Sequence, residues 1–382
     1  MPHNSLGAMI QRLRDESNRP PGILPPSGTV SLSVGDPDFP TPPQIVEVAA
    51  AALRDGFTHY ADWNGDPDLR IEIARVESGR SARPYSAQEA VVGHGANGVL
   101  MSVFFAALDP GDRVVIPEPT YSLYGDLIAM AGAVSDYVPL AEDMHLDLDR
   151  LARAMPGARM VVLCNPGNPT GAVFSRQELE TVAALAVQYD VLVLVDEAYA
   201  DLIYDGVVFA PASSVEAWRD RLIVCRTLSK TFAMTGWRVG YALAPVWLAD
   251  AMRQVSATTI GALNTAVQRA ALFALQAGPE IAHHMNVVYA ERREFILRRI
   301  AEIPGLDAVR PEGAFYVFAR YDRAIRSALL ATDLLRDHGV AVRPGAEYGP
   351  SGEGYIRLSF ATDIETIAEG LDRIEQYLRE TA

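Results

Sequence analysis

Short apolar runs at residues 90–92, 113–116, 159–164, 191–195, 221–225 and 239–244 recur through the middle of this chain. Amphipathic stretches at about 97–108, 121–132, 148–155 and 175–190 separate most of them. Runs of this kind read as strands buried on both faces, and the stretches between them as helices. Strands alternating with helices build an α/β fold whose sheet is mostly parallel and covered on both sides. In such a sheet ligands bind beyond the carboxyl ends of the strands. That inference marks where chemistry is to be sought: Gly95 to Asn97, Pro119 to Tyr121, Asn165 to Gly171, Asp196 to Tyr199, and Lys230.

The flanks read differently. Residues 1–34 are polar and then rich in proline, which suggests an arm, and Ser33–Pro40 is dense in turn formers. Apolar spacing at Ile45, Val46, Val48, Ala49 and Leu53 predicts a helix over about 43–55, and Pro67 opens another; Tyr60 lies on the loop between them. Beyond residue 245 two long helical patterns run to about 275 and from 280 to 301. After Pro304-Gly305 the pattern becomes α+β. Strands are expected at Ala314–Ala319, Val340–Arg343 and Tyr355–Phe360, with helices at 325–338 and from Asp363. A chain of 382 residues accommodates two domains. We expect a large domain over 43–280 and a small one over 281–382, joined in space by the arm, 1–42.

The formal net charge of −15 argues against nucleic acid or an anionic membrane as a partner. No apolar segment has bilayer-spanning length, and Met1 to Pro26 lacks the apolar region of a secretory signal. A cytoplasmic enzyme is expected. Cys164 and Cys225 each lie inside an apolar run, as buried fillers rather than a disulfide or metal pair do, and no metal site is expected.

Lys230 follows the run Leu222–Cys225 and sits among hydroxyls, Thr227, Ser229 and Thr231, with Arg238 eight residues on. A lysine held out of bulk water is neutral and nucleophilic, as aldehyde chemistry requires, and the hydroxyls with the arginine suit a phosphate. Gly93-x-Gly95-x-x-Gly98 lies between a strand and a helix, with Glu118 some way beyond. A nicotinamide-dependent oxidoreductase is therefore a second possibility, although the glycines and a helix N-terminus bind a phosphate of any owner. Asn165-Pro-Gly-Asn168-Pro-Thr-Gly171 is a rigid loop able to aim an amide. Asp196 ends an apolar strand, where burial demands a partner: an N-cap role serves, and so does a pyridinium N–H. Arg357 stands in the apolar strand Ile356-x-Leu358-x-Phe360, where an unpaired charge is costly.

Taken in order, Gly95-Ala96-Asn97, Pro119-Thr120-Tyr121, Asn165–Gly171, Asp196-x-x-Tyr199, Ser229-Lys230 through Arg238 and Tyr355–Ser359 resemble a fold-type I, pyridoxal-phosphate-dependent aminotransferase of class I/II, of the aspartate, alanine and arginine–pyruvate type. The likeness runs over roughly 33 to 380. It implies the three-layer transferase fold, pyridoxal 5′-phosphate as cofactor, and transfer of an amino group from an L-amino acid to a 2-oxo acid. It also implies roles. Lys230 forms the Schiff base and shuttles the proton. Asp196 keeps the pyridine nitrogen protonated, while Asn168 and Tyr199 hydrogen-bond the phenolic oxygen. Tyr121 stacks on the ring. Gly95, Ala96, Asn97, Thr227, Ser229 and Arg238 take the phosphate, joined by Tyr60 from the other subunit of a homodimer. Arg357, helped by Gly35 and Asn168, binds the substrate α-carboxylate. Some members of the fold carry out oxidation, cyclisation or elimination with the same lysine. Asn97 stands where an aspartate-accepting branch carries lysine. The stretches Ser33–Phe39, Thr58–Asp62 and Gly345–Gly349 are similar to arginine–pyruvate transaminases and favour a basic or polar donor. The Asn168–Pro169 peptide is expected to be cis.

Overall fold

The computed structural model describes residues 7–20 and 24–381, so part of the expected arm, residues 1–6 and 21–23, lies outside the described residues. In chain order the strands are β1 Val30–Ser31, β2 Ala90–Gly93, β3 Arg113–Glu118, β4 Val134–Pro139, β5 Met160–Cys164, β6 Leu192–Asp196, β7 Leu222–Thr227, β8 Gly240–Leu243, β9 Leu306–Ala308, β10 Tyr316–Tyr321, β11 Val340–Ala341, β12 Arg343–Pro344 and β13 Tyr355–Ser359.

Seven of them form one sheet in the order β2-β8-β7-β6-β5-β3-β4. All neighbours are parallel except at β8, which runs antiparallel to both β2 and β7. Residues alternate between the two faces of a strand. Val161, Val193 and Val224 accordingly pack into one apolar cluster, and Val162, Leu194 and Ile223 into another on the opposite face. The sheet is thus the middle of three layers. Its register sets Cys164, Asp196 and Cys225 in one row at the carboxyl ends of β5, β6 and β7. Both cysteines are buried and free, which agrees with their reading as fillers.

A second, antiparallel sheet has the order β12-β13-β10-β9, and β1 pairs in parallel with β11. The last helix, Ile364–Glu380, starts from Asp363, whose side chain accepts from the Thr366 N–H at 2.7 Å. A cap of this kind satisfies one of the N–H groups left open at a helix start.

Several elements depart from the sequence reading: β1 and β9 were not expected, and the strand expected at Val340–Arg343 is two, β11 and β12. The helical pattern over 245–275 is two helices, Val246–Thr259 and Thr265–Ala277, divided at Gly261, whose φ of +87° no helix accommodates. The edge strand β4 was not expected, because Val134-Ser-Asp-Tyr-Val-Pro139 is half exposed and lacks an apolar run. The arm contains a helix, Ala8–Glu16, whose few apolar residues, Met9, Ile10 and Leu13, stand at helical spacing but are not buried.

Candidate active site

A cavity of about 400 Å³ opens at the carboxyl ends of the parallel strands, where the fold rule directs a ligand. Lys230 enters it from a single helical turn, Leu228–Thr231, that follows β7. Thr227 caps that turn by accepting from the Ser229 N–H at 3.2 Å. The Lys230 ammonium donates to the Gly35 carbonyl at 2.6 Å. Gly35 has no room for a side chain, since a Cβ there would stand 1.9 Å from the Tyr316 hydroxyl. Burial lowers the Lys230 pKa to about 8; Asp36 opposes this and Arg357 and Arg238 add to it. About a tenth of the amine is then neutral at pH 7, against well under a thousandth for a free lysine.

Asp196 lines the cavity one strand away and is buried. Burial raises its carboxyl to about 6, although it accepts from the Tyr124 hydroxyl at 2.8 Å and the Ala198 N–H at 3.0 Å. Two neutral donors leave that charge without a cationic neighbour in contact, so the site fits a ring nitrogen that carries a proton.

An anion cradle lies on the other side of the lysine. The helix Gly95–Ala107 begins directly behind β2, and Ala96 and Asn97 line the cavity within its first turn, which holds no acidic residue. N–H groups there have no helical acceptor. Arg238, in the left-handed region at φ +55°, brings its guanidinium against Gly95, where a Cβ would meet Nη2 at 2.7 Å. The Thr227 and Ser229 hydroxyls, 2.9 Å apart, complete the set. Backbone donors, two hydroxyls and a guanidinium suit a phosphate dianion.

Arg357 reaches the cavity from β13. Its Nη1 donates to Asn168 Oδ1 at 3.0 Å and its Nη2 to the Ser33 carbonyl at 2.6 Å. The guanidinium lies 4.1 Å over the Tyr316 ring, and its buried Nε has no partner among the described residues. The Asn168–Pro169 peptide is cis, as expected, and so are Glu118–Pro119 and Asn165–Pro166. Tyr199 and Tyr316 share a hydrogen bond at 2.8 Å, and Tyr121 lines the cavity edge-on to Tyr124.

The structure therefore gathers the nominated residues around one cavity, with Gly95 just behind its lining against Arg238 and Tyr60 away from it. Tyr60 is 91% exposed and stacks on Trp63, outside the cavity of its own chain. Sequence reasoning missed Tyr124 and Tyr316, whose partners are set only by tertiary packing. It also missed Arg343, although the register of β12 against β13 puts it directly across from Arg357.

The oxidoreductase reading loses its acidic residue. Glu118 is buried and accepts from the Ser351 N–H at 2.9 Å and the Ser351 hydroxyl at 2.5 Å, so it is not free for a ribose. Its strand β3 also lies five places from β2 in the sheet.

The profile of the family described as aminotransferase class I and II matches residues 27–374. The chain belongs to that family. The aspartate aminotransferase of Pyrococcus abyssi is 36% identical over 358 residues, 92% of each chain. Aromatic-amino-acid aminotransferase 2 of Thermococcus litoralis is 35% identical over 362 residues, again 92% of each chain. The crystal structure of the aromatic aminotransferase from Pyrococcus horikoshii matches with a TM-score of 0.90 at 34% identity, covering 98% of this chain and 99% of that one. This aminotransferase thus has the type I fold, depends on pyridoxal phosphate, and transfers an amino group from an L-amino acid to a 2-oxo acid. Neither the nicotinamide alternative nor oxidation, cyclisation or elimination finds support among these relatives.

Proposed function

We propose that Lys230 is the catalytic lysine of this aminotransferase and that Asp196, Tyr199, Asn168 and Arg357 serve it in the roles their positions suit. The observation that carries the reading is a lysine of lowered pKa in one cavity with a buried carboxylate, an anion cradle and a half-partnered arginine. Pyridoxal phosphate, when bound, supplies an aldehyde that captures amino groups and a ring that accepts the electrons of a substrate carbanion.

Everything else falls to the chain. The lowered pKa gives Lys230 a neutral amine, able to form a covalent bond and then to carry a proton. Asp196 holds the proton of a ring nitrogen. The Tyr199 hydroxyl, fixed by Tyr316, and the Asn168 amide, fixed by Arg357, are rigid hydrogen-bonding groups on the same side of the cavity. Tyr121 offers a flat apolar face. Gly95, Ala96, Asn97, Thr227, Ser229 and Arg238 hold the phosphate. Arg357 turns its fork to the substrate α-carboxylate, beside the Gly35 backbone.

We further propose a homodimer in which Tyr60 of one protomer completes the phosphate site of the other; its full exposure beside Trp63 supports this. The pairing of β1 with β11 supports a small domain made of 1–42 and 281–382 set against a large one over 43–280. A cytoplasmic location fits an acidic chain in which no described helix is long and apolar enough to cross a membrane. The amino donor is sought among the classes for which relatives are named, aspartate and aromatic amino acids, and among the basic and polar donors suggested by Ser33–Phe39 and Gly345–Gly349.

Two measurements test the reading. Borohydride reduction of the yellow holoenzyme followed by peptide mapping should place the cofactor mass on Lys230, and a label on any other residue would overturn it. Mixing the holoenzyme with single amino acids and following the visible band should name the donor. Bleaching with ammonia release or dioxygen uptake would instead favour elimination or oxidation.

A further inference from the structure

Arg357 answers one carboxylate, yet two more guanidinium groups line the same cavity without a role. Arg343 lies directly across from Arg357 in the β12–β13 pairing. Directly opposed residues send their side chains from the same face of a sheet, with Cβ atoms about 4.5–5.5 Å apart. Arg19 enters from the segment that follows the helix Ala8–Glu16. Arg19 and Arg343 also both line a neighbouring cavity beside Asp126, which puts them together on the wall between the two.

Like charges opposed across two strands destabilise a sheet unless something answers them. Arg357 is held by Asn168 and Ser33. Arg343 has Glu347 at 3.6 Å and Arg19 has Asp126 at 3.5 Å, both too long for hydrogen bonds. Among the described residues neither guanidinium donates a side-chain hydrogen bond, and the two side chains stay 43% and 39% exposed, Arg19 first. Each keeps a planar fork of donors matched to a carboxylate. Three carboxylates stand nearby: Asp126 faces Arg19, Glu347 is buried, accepts from the Ser122 hydroxyl at 3.4 Å and stands 3.6 Å from Arg343, and Asp36 lines the cavity where it accepts from the Thr235 hydroxyl at 2.7 Å.

We propose that Arg19 and Arg343 form a second anion clamp, which selects dicarboxylic amino acids and 2-oxo acids by their distal carboxylate. The inference rests on the assignment of Arg357 to the α-carboxylate. Asn97 brings no charge to such a group, and these two guanidinia do.

Calorimetric titration of the holoenzyme with succinate and with butyrate, four-carbon acids that differ in the second carboxylate, tests the clamp. Succinate should bind about tenfold more tightly or better, as a charge-assisted bidentate contact implies. That advantage should fall about tenfold in Arg19→Gln and, separately, in Arg343→Gln, so that misfolding of one variant leaves the other to decide. Arg357→Gln should weaken both acids. If it does, and yet the unaltered enzyme binds succinate no better than butyrate, the second clamp is overturned while the α-carboxylate assignment stands. If Arg357→Gln changes neither acid, that assignment fails and takes the clamp with it. Faster conversion of arginine or lysine than of glutamate, abolished in Glu347→Gln, would also overturn the proposal.

Discussion

Asp196 ends a strand whose other residues are all apolar, and the cost of its charge is measurable before any substrate is present. Its carboxyl is raised from 3.8 to about 6 by burial. A raised folded pKa means that the native protein binds the proton more tightly than the unfolded chain does. The associated stability is therefore full below pH 4 and is lost as pH rises through 6, by about 3 kcal/mol. In the cofactor-free protein Asp196→Asn removes that charge. The variant should melt above the unaltered protein at pH 8, by about half as much at pH 5, and close to it at pH 4; a difference independent of pH would refute the argument. With pyridoxal phosphate bound the order should reverse at pH 8, because the protonated ring nitrogen then loses its carboxylate. Lys230 shows the converse effect of burial. Its amine, lowered to about 8, should combine with added cofactor at a rate that climbs with pH and levels off near that value in stopped-flow absorbance. A rate still climbing steeply at pH 10 would mean an ordinary lysine.

The loop that carries Asn168 depends on neighbouring elements for its aim. Gly171 accepts from the Gly313 N–H at 2.8 Å, Asn165 Oδ1 accepts from the Phe174 N–H at 2.8 Å, and the Val173 N–H donates to Glu312 at 2.9 Å. The helix Arg176–Tyr189 then starts with a capping box between Ser175 and Glu178, and His145 closes on Glu178 at 3.2 Å. Burial pushes the Glu178 carboxyl up, but hydrogen bonds from His145, Ser175 and Leu146 outweigh it and bring the pKa to about 2, while Glu178 raises His145. Stability from the glutamate is present above pH 4.5 and lost toward pH 2; stability from the histidine is present below pH 6.5 and lost as pH rises through its raised value. Glu178→Gln should cost about 1–3 kcal/mol at pH 5.5 and less at pH 9, read from urea midpoints. Equal costs at the two pH values would rule out the histidine's part. A helix at about 175–190 was legible in the sequence, and none of this latch was. The parallel strands and their ends were legible because burial on both faces leaves continuous apolar runs. The strand β4 and the helix Ala8–Glu16 were not: the strand has no apolar run, and the helix sets only three large apolar residues in a short, polar stretch and buries none of them. The site followed the same division. Lys230, Asp196 and Arg357 announced themselves by polarity in apolar surroundings, whereas Tyr124, Tyr316 and Arg19 acquire meaning only from what the fold sets beside them.

At the scale of the whole molecule one nominated residue stands apart from its own site. Tyr60 is exposed and stacked on Trp63 on the loop between the helices Pro43–Arg54 and Pro67–Ser78, and it does not line the cavity that holds Lys230. A residue so placed either does nothing for the chemistry or acts on a second copy of the chain, and in a two-fold dimer it would do so reciprocally. The two cases separate by mixing. Consider a Lys230→Ala chain paired with a Tyr60→Ala chain. If sites are shared, one site of the heterodimer carries both defects, while the other has an intact Lys230 from one chain and an intact Tyr60 from its partner. Refolding equal amounts together should then restore about a quarter of the unaltered activity, since half the dimers are mixed and one of their two sites is whole. If Tyr60 served its own chain, or none, mixing would give no more than the average of the two parents. Light scattering on the same samples fixes the oligomeric state independently, and a monomer at assay concentration would end the shared-site reading without touching the assignment of Lys230.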